Sequence, residues 1–262
     1  MPPAETIQNV LWTTSLALQI VLIVILFHRR NHRAYPFFTA YIALGVAQSM
    51  ILALVYRWWG FTAFRSFQVA WLSQSLVLAA RASAVAELCR KVLGIYRGIW
   101  ALAIRLLAVI ALIVVVYACY VSSWRWKVTV LEADRATELA IASIIVVLLA
   151  FSRYYRVPIT TTDRLIAIGL CIYSSSYVIN NSVDVKIPQE YYSYWNLLIE
   201  AVYITSLAIW TKAFWSSALE KVEQPRLVEP SLYQELSPAI NLRLRMLNEQ
   251  LLAFWRTKVP HL

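Results

Sequence analysis

Residues 100–121 read WALAIRLLAVIALIVVVYACYV, an apolar run broken by a single arginine. About 20 such residues cross the hydrocarbon core of a bilayer as one helix. The chain holds seven stretches of this kind, at Ile7–Phe27, Pro36–Tyr56, Ser66–Lys91, Trp100–Val121, Thr137–Tyr155, Leu165–Val183 and Tyr191–Trp215. In lipid every backbone N–H and C=O must be satisfied internally, which leaves helices and closed barrels. With five glycines in 262 residues and long unbroken apolar runs, there is no room for the many turns of a barrel. The expected fold is therefore all-α: a polytopic membrane protein with a seven-transmembrane-helix bundle over residues 1–217. A cytoplasmic tail at 218–262 carries one amphipathic helix.

Composition supports this reading. The chain is 60% hydrophobic and 15% charged, where soluble domains average about half apolar and a quarter charged. Its 11 Trp and 15 Tyr suit membrane–water interfaces. The net charge of +10 raises nucleic acid as a partner, but the basic residues flank the spans and no run of them is interleaved with aromatics. They read as topology signals instead. The connections expected inside carry ten basic residues: Arg29, Arg30 and Arg33; Arg90, Lys91, Arg97 and Arg105; Arg153, Arg156 and Arg164. Those expected outside carry six: Arg57 and Arg65; Arg125, Lys127 and Arg135; Lys186. This bias orients the bundle N-out and C-in. The first span has no basic residue before it and HRRNHR after it, the reverse of a cleaved signal peptide.

Within this threading the third span stands out. It carries Arg81 near its middle, among Ala79, Ala80, Ala82, Ser83, Ala84 and Ala86. A charge at that depth faces the bundle interior or a water-filled cavity, and small neighbours allow close helix packing. Other polar residues collect in the outer halves of the spans. Gln48 is in the second, Gln74 in the third, Asn180 in the sixth, and Asn196 and Glu200 in the seventh. Asn196, Glu200 and Tyr203 share one helical face, and Gln74 and Arg81, seven residues apart, share another. These residues outline a polar, outward-facing ligand cavity walled by spans 2, 3, 6 and 7. Arg81 would stand at its floor and Glu200 would be Arg81's ion-pair partner. Interhelical hydrogen bonding alone would account for the same residues.

Elsewhere the expectations are plainer. Glu138 opens the fifth span on the outer side. Glu87 is satisfied locally by Arg90 and Lys91. Thr162 or Asp163 caps the sixth span. WRWKVTV, within the long connection Ser122–Arg135, is a short strand or an interfacial segment. His28 and His32 have the i, i+4 spacing of some metal sites, but three arginines surround them and no carboxylate is near. The three cysteines lie too far apart to pair. No catalytic motif is present, and no cofactor is called for. Lys212 is too close to the inner end of span 7 to hold retinal. In the tail, Ile240, Leu244, Leu247, Leu251, Phe254 and Trp255 recur at helical spacing. They mark a face for the membrane interface or for a partner protein, with polar residues such as Asn248 turned away.

The run HRAYPFFTAYIALGVAQSM and the later WLSQSL…AVAELCRKV resemble uncharacterised multi-span membrane proteins of bacteria. The resemblance covers roughly the first hundred residues. It implies a multi-pass protein of the bacterial cytoplasmic (inner) membrane and no particular activity. Taken together, the sequence points to a non-enzymatic protein that binds or senses a small ligand and signals through a protein partner. Its rivals are an accessory subunit of a larger membrane complex and a small-solute transporter or channel.

Overall fold

A computed structural model describes residues 3–60, 63–94, 96–121, 126–155, 157, 159–183, 191–215, 246–251 and 253. Every regular element among them is helical. Eight helices follow one another: α1 Pro3–His28, α2 Asn31–Ala34, α3 Pro36–Trp59, α4 Phe64–Leu93, α5 Arg97–Val121, α6 Trp126–Tyr155, α7 Thr161–Val183 and α8 Tyr192–Trp215. A short helical stretch lies in the tail at 246–251. Six helices, α1, α3, α4, α5, α6 and α8, contain segments long and apolar enough to cross a membrane. This makes the chain a multi-pass helical membrane protein. α7, at 23 residues, is about as long as α8, but Thr161, Thr162, Asp163, Arg164, four serines and two asparagines keep it out of that group.

The helices close a ring. α1 packs on α3, α3 on α4, α4 on α6, α6 on α7, α7 on α8, and α8 back on α1. α5 stands outside, against α4 and α6. This explains the contrast between the most apolar run and the most polar one. α5 presents Leu106, Val109, Leu112, Ile113, Val115 and Val116 outward. α7 turns Ser174 and Leu170, both fully buried, toward protein.

The two ends of the ring differ. At the end where α1 finishes and α3 begins, the interior is packed with aromatic rings. Phe38 lies 5.4 Å from both Trp210 and Phe214, and Tyr35 lies 5.3 Å from Phe214. The Trp210 indole N–H donates to the Ile166 carbonyl at 3.2 Å. That approach needs a glycine at 169, since a Cβ there would overlap the indole nitrogen.

Several local expectations are corrected here. Residues 126–135 are helical rather than a short strand, because α6 starts at Trp126. Starting there brings Asp134 and Glu138 onto one helical face. The N-cap of α7 is Thr160, not Thr162 or Asp163. Thr160 Oγ1 accepts the Asp163 backbone N–H at 3.0 Å, the N-cap half of a capping box, and donates to Asp163 Oδ2 at 2.7 Å. Glu87 turns away from a purely local role. Its carboxylate accepts the Phe38 backbone N–H at 3.0 Å, one of the donors that a helix start leaves unpaired. In the tail, Asn248 is the docking residue instead of a solvated one: its Oδ1 accepts the Gly98 N–H at the start of α5, at 2.6 Å. Leu251 packs on the core, while Leu247 is exposed. Ile240, Leu244, Phe254 and Trp255 lie outside the described residues.

Candidate functional site

The other end of the ring is open. A cavity of about 230 Å³ lies there, between α1, α3, α4, α7 and α8. The start of α1 contributes Trp12, Ser15 and Gln19, and α3 contributes Tyr41, Gly45, Gln48 and Ser49. α4 supplies Gln74, Val77 and Arg81, α7 supplies Tyr173, and α8 supplies Glu200 and Tyr203. Five of the seven residues expected from sequence therefore line one cavity: Gln48, Gln74, Arg81, Glu200 and Tyr203. The other two do not. Asn180 accepts a hydrogen bond from the Trp195 indole at 2.7 Å, and Asn196, one turn beyond Glu200, is exposed.

Arg81 is 2% exposed and forms a salt bridge with the fully buried Glu138 of α6. The expected pairing with Glu200 is thus overturned. The reason is helix order: α4 packs directly on α6 but faces α8 across the cavity. The guanidinium has further neighbours, although its Nε–H has no hydrogen-bond partner among the described residues. One terminal nitrogen donates to Tyr173 Oη at 3.4 Å. The Tyr173 and Tyr41 rings lie against its carbon at 4.5 and 5.1 Å, within cation–π range.

From Arg81 a polar chain climbs the α3–α4–α6–α7 side. The Gln48 amide donates to Gln74 Oε1 at 3.1 Å and to Ser73 Oγ at 3.3 Å. Gln74 donates to both Asp134 oxygens at 3.3 and 3.4 Å. Tyr177 donates to Asp134 Oδ2 at 2.7 Å. Asp134 is 2% exposed, so its charge depends on these donors.

Two cavity groups differ from this satisfied chain. Gln19 is 5% exposed and its Oε1 has no hydrogen-bond donor. Glu200 is half-buried, and the described residues give it no hydrogen bond or ion pair.

Sequence reasoning missed Gln19, Asp134, Tyr173 and Tyr177. Gln19 had a signal, as a lone amide inside an apolar run. Asp134 was hidden by the late start assigned to its helix. The tyrosines were masked by the interfacial preference of their kind.

A second polar cluster lies near the closed end. Tyr35 donates to Asp163 Oδ1 at 2.9 Å, and Lys91 Nζ sits 3.3 Å above the Tyr35 ring. Burial first, then the negative charge of Asp163, raises the Tyr35 phenol well above the usual tyrosine range.

Among the described residues no three His, Cys, Asp or Glu side chains gather as a metal site would require. His32 stacks on Phe27 at 4.8 Å and its Nδ1 lies 3.4 Å from the Leu26 carbonyl.

The fold and the cavity define a class: a multi-pass helical membrane protein with a polar, one-ended cavity in its helix ring. No family model, curated protein or solved structure matches the chain.

Proposed function

We propose that this protein binds a small polar ligand in the cavity of its helix ring, entering from the end where α1 begins. The observation that carries the reading is convergence. Polar residues scattered over 190 positions of sequence, from Trp12 to Tyr203, line one space, inside a ring whose other end is sealed by Phe38, Trp210 and Phe214. Hydrogen-bond glue needs no cavity, and the free carboxylate of Glu200 serves no packing purpose. At about 230 Å³ the space falls below the range of sites for drug-sized molecules, so the ligand is small.

We read all seven long helices as membrane-spanning. α7 has lipid-compatible length, and its polar side chains are explained by its place between α6 and α8. The basic residues Arg29, Arg30, Arg33, Arg90 and Lys91 cluster at the sealed end. By the positive-inside rule that end is cytoplasmic, and the cavity faces outside. A bacterial inner membrane suits this arrangement. The tail, docked at Gly98 through Asn248, then lies on the cytoplasmic face, where a protein partner could read its position.

Native mass spectrometry of the protein gently extracted from its own membranes tests the binding reading. Gly45 lines the cavity, and a Cβ there meets nothing closer than Gln19 Oε1 at 3.6 Å. A Gly45→Leu variant would therefore fill the space. A reproducible small adduct on the wild type that is absent from Gly45→Leu supports the reading. An adduct shared by both, or two bare proteins, contradicts it.

A further inference from the structure

We infer that the ligand is a small organic cation, a protonated amine; this rests on the binding reading above. The argument concerns which charges are already spent. Arg81 is the one cationic side chain of the lining. Its charge is matched by Glu138, one N–H group goes to Tyr173, and two tyrosine rings flank its plane. Its Nε–H lacks a hydrogen-bond partner among the described residues, but with its charge matched by Glu138 it attracts an anion weakly.

The acceptors are the groups in surplus. Among the described residues Glu200 lines the cavity with neither hydrogen bond nor ion pair, and Asp134 adds a further negative charge behind Gln74. Gln19, 95% buried and lining the same space, presents an Oε1 that no donor reaches. Two acceptors without donors call for a ligand that brings N–H groups and a positive charge. The aromatic lining agrees. Trp12 and Tyr203 share the cavity with Glu200, and Tyr203 packs on Tyr173 at 5.3 Å. Aromatic rings beside a carboxylate are how proteins hold alkylammonium groups.

The test is saturation-transfer NMR on the full-length protein in zwitterionic nanodiscs, with empty nanodiscs as the blank. Three probes of similar size are titrated at constant ionic strength: n-propylammonium, 1-propanol and propionate. The expected result is saturable transfer to n-propylammonium and none to propionate. The apparent Kd should weaken by about tenfold or more in Glu200→Gln, and the signal should vanish in Gly45→Leu, both variants keeping the wild-type circular dichroism melt. Saturable binding of propionate or 1-propanol, but not of n-propylammonium, that Gly45→Leu abolishes would overturn the cation and leave the cavity standing. n-Propylammonium transfer that survives both substitutions would place the cation elsewhere and overturn the assignment. Silence from all three probes would overturn both readings.

Discussion

Removing Glu138 should be the most damaging single carboxylate change in the protein. Its side chain is fully buried and Arg81 opposite is 2% exposed, so Glu138→Ala strands a cation in the interior. Breaking a buried pair from one side costs about 3–5 kcal/mol. The rings of Tyr41 and Tyr173 remain against the guanidinium and offset part of that, since a desolvated cation–π contact is worth about 2 kcal/mol. The expected loss is therefore about 3 kcal/mol, at the low end. Replacing both partners with apolar residues, Arg81→Met with Glu138→Leu, should bring stability back to within about 1 kcal/mol of wild type. Glu200→Gln, at the partner expected from sequence, should cost no more than about 0.5 kcal/mol, because Glu200 makes no ion pair among the described residues. Reversible unfolding in mixed micelles, followed by near-ultraviolet circular dichroism, measures wild type, Arg81→Met, Glu138→Leu and the double variant, which yield the coupling energy, with Glu138→Ala and Glu200→Gln alongside. Two single substitutions that each cost under about 1 kcal/mol and simply add in the double variant would refute the argument. So would a Glu200→Gln loss equal to that of Glu138→Ala.

Three further outcomes follow from particular contacts. Gly169→Ala places a Cβ onto the Trp210 indole and should destabilise by about 1–3 kcal/mol. Gly45→Ala, with ordinary contact room, should be neutral or stabilising by up to about 1 kcal/mol in the same unfolding assay. Asn248→Ala removes the acceptor of the Gly98 N–H; losing such a cap costs about 1 kcal/mol, so tryptic cleavage within the tail should quicken by about fivefold. Tyr35 holds its proton more tightly folded than unfolded. Its contribution is therefore full below the unfolded value of about 10 and is lost as pH rises past it. Unfolding titrations should show wild type losing more stability than Tyr35→Phe above about pH 10, and parallel curves would contradict this.

Span positions and the polar faces of single helices were legible because they depend on local pattern. Gln74 and Arg81 lie seven residues apart and line the same cavity, as do Glu200 and Tyr203. Partner choice was not legible, because it depends on the order of helices around the ring. Nothing along the chain says that α4 touches α6 while α8 stands across a gap, and that difference sends Arg81 to Glu138. A three-turn difference in the start of a helix, Trp126 instead of Thr137, had a similar effect, leaving Asp134 in an expected loop although it anchors Gln74 and Tyr177. The expected cavity walls, spans 2, 3, 6 and 7, leave out α1. Ring closure against α3 and α8 brings its Gln19 inside. The aromatic residues divided by position: Trp58 and Tyr194 are exposed as belt residues should be, while Trp210 is fully buried.

The central claim is a cavity reached from one side only. Cysteine accessibility tests it most directly. Cys89, Cys119 and Cys171 are first replaced by alanine or serine. Single cysteines are then placed at Ser49, which lines the cavity, and at Thr39, which is buried near the sealed end. A membrane-impermeant thiol reagent is applied to each face of oriented vesicles. The account predicts that Ser49→Cys reacts only from the face where α1 begins, that n-propylammonium slows it, and that Thr39→Cys reacts from neither face. Labelling of Ser49→Cys from the opposite face, or no labelling from either face, would contradict it.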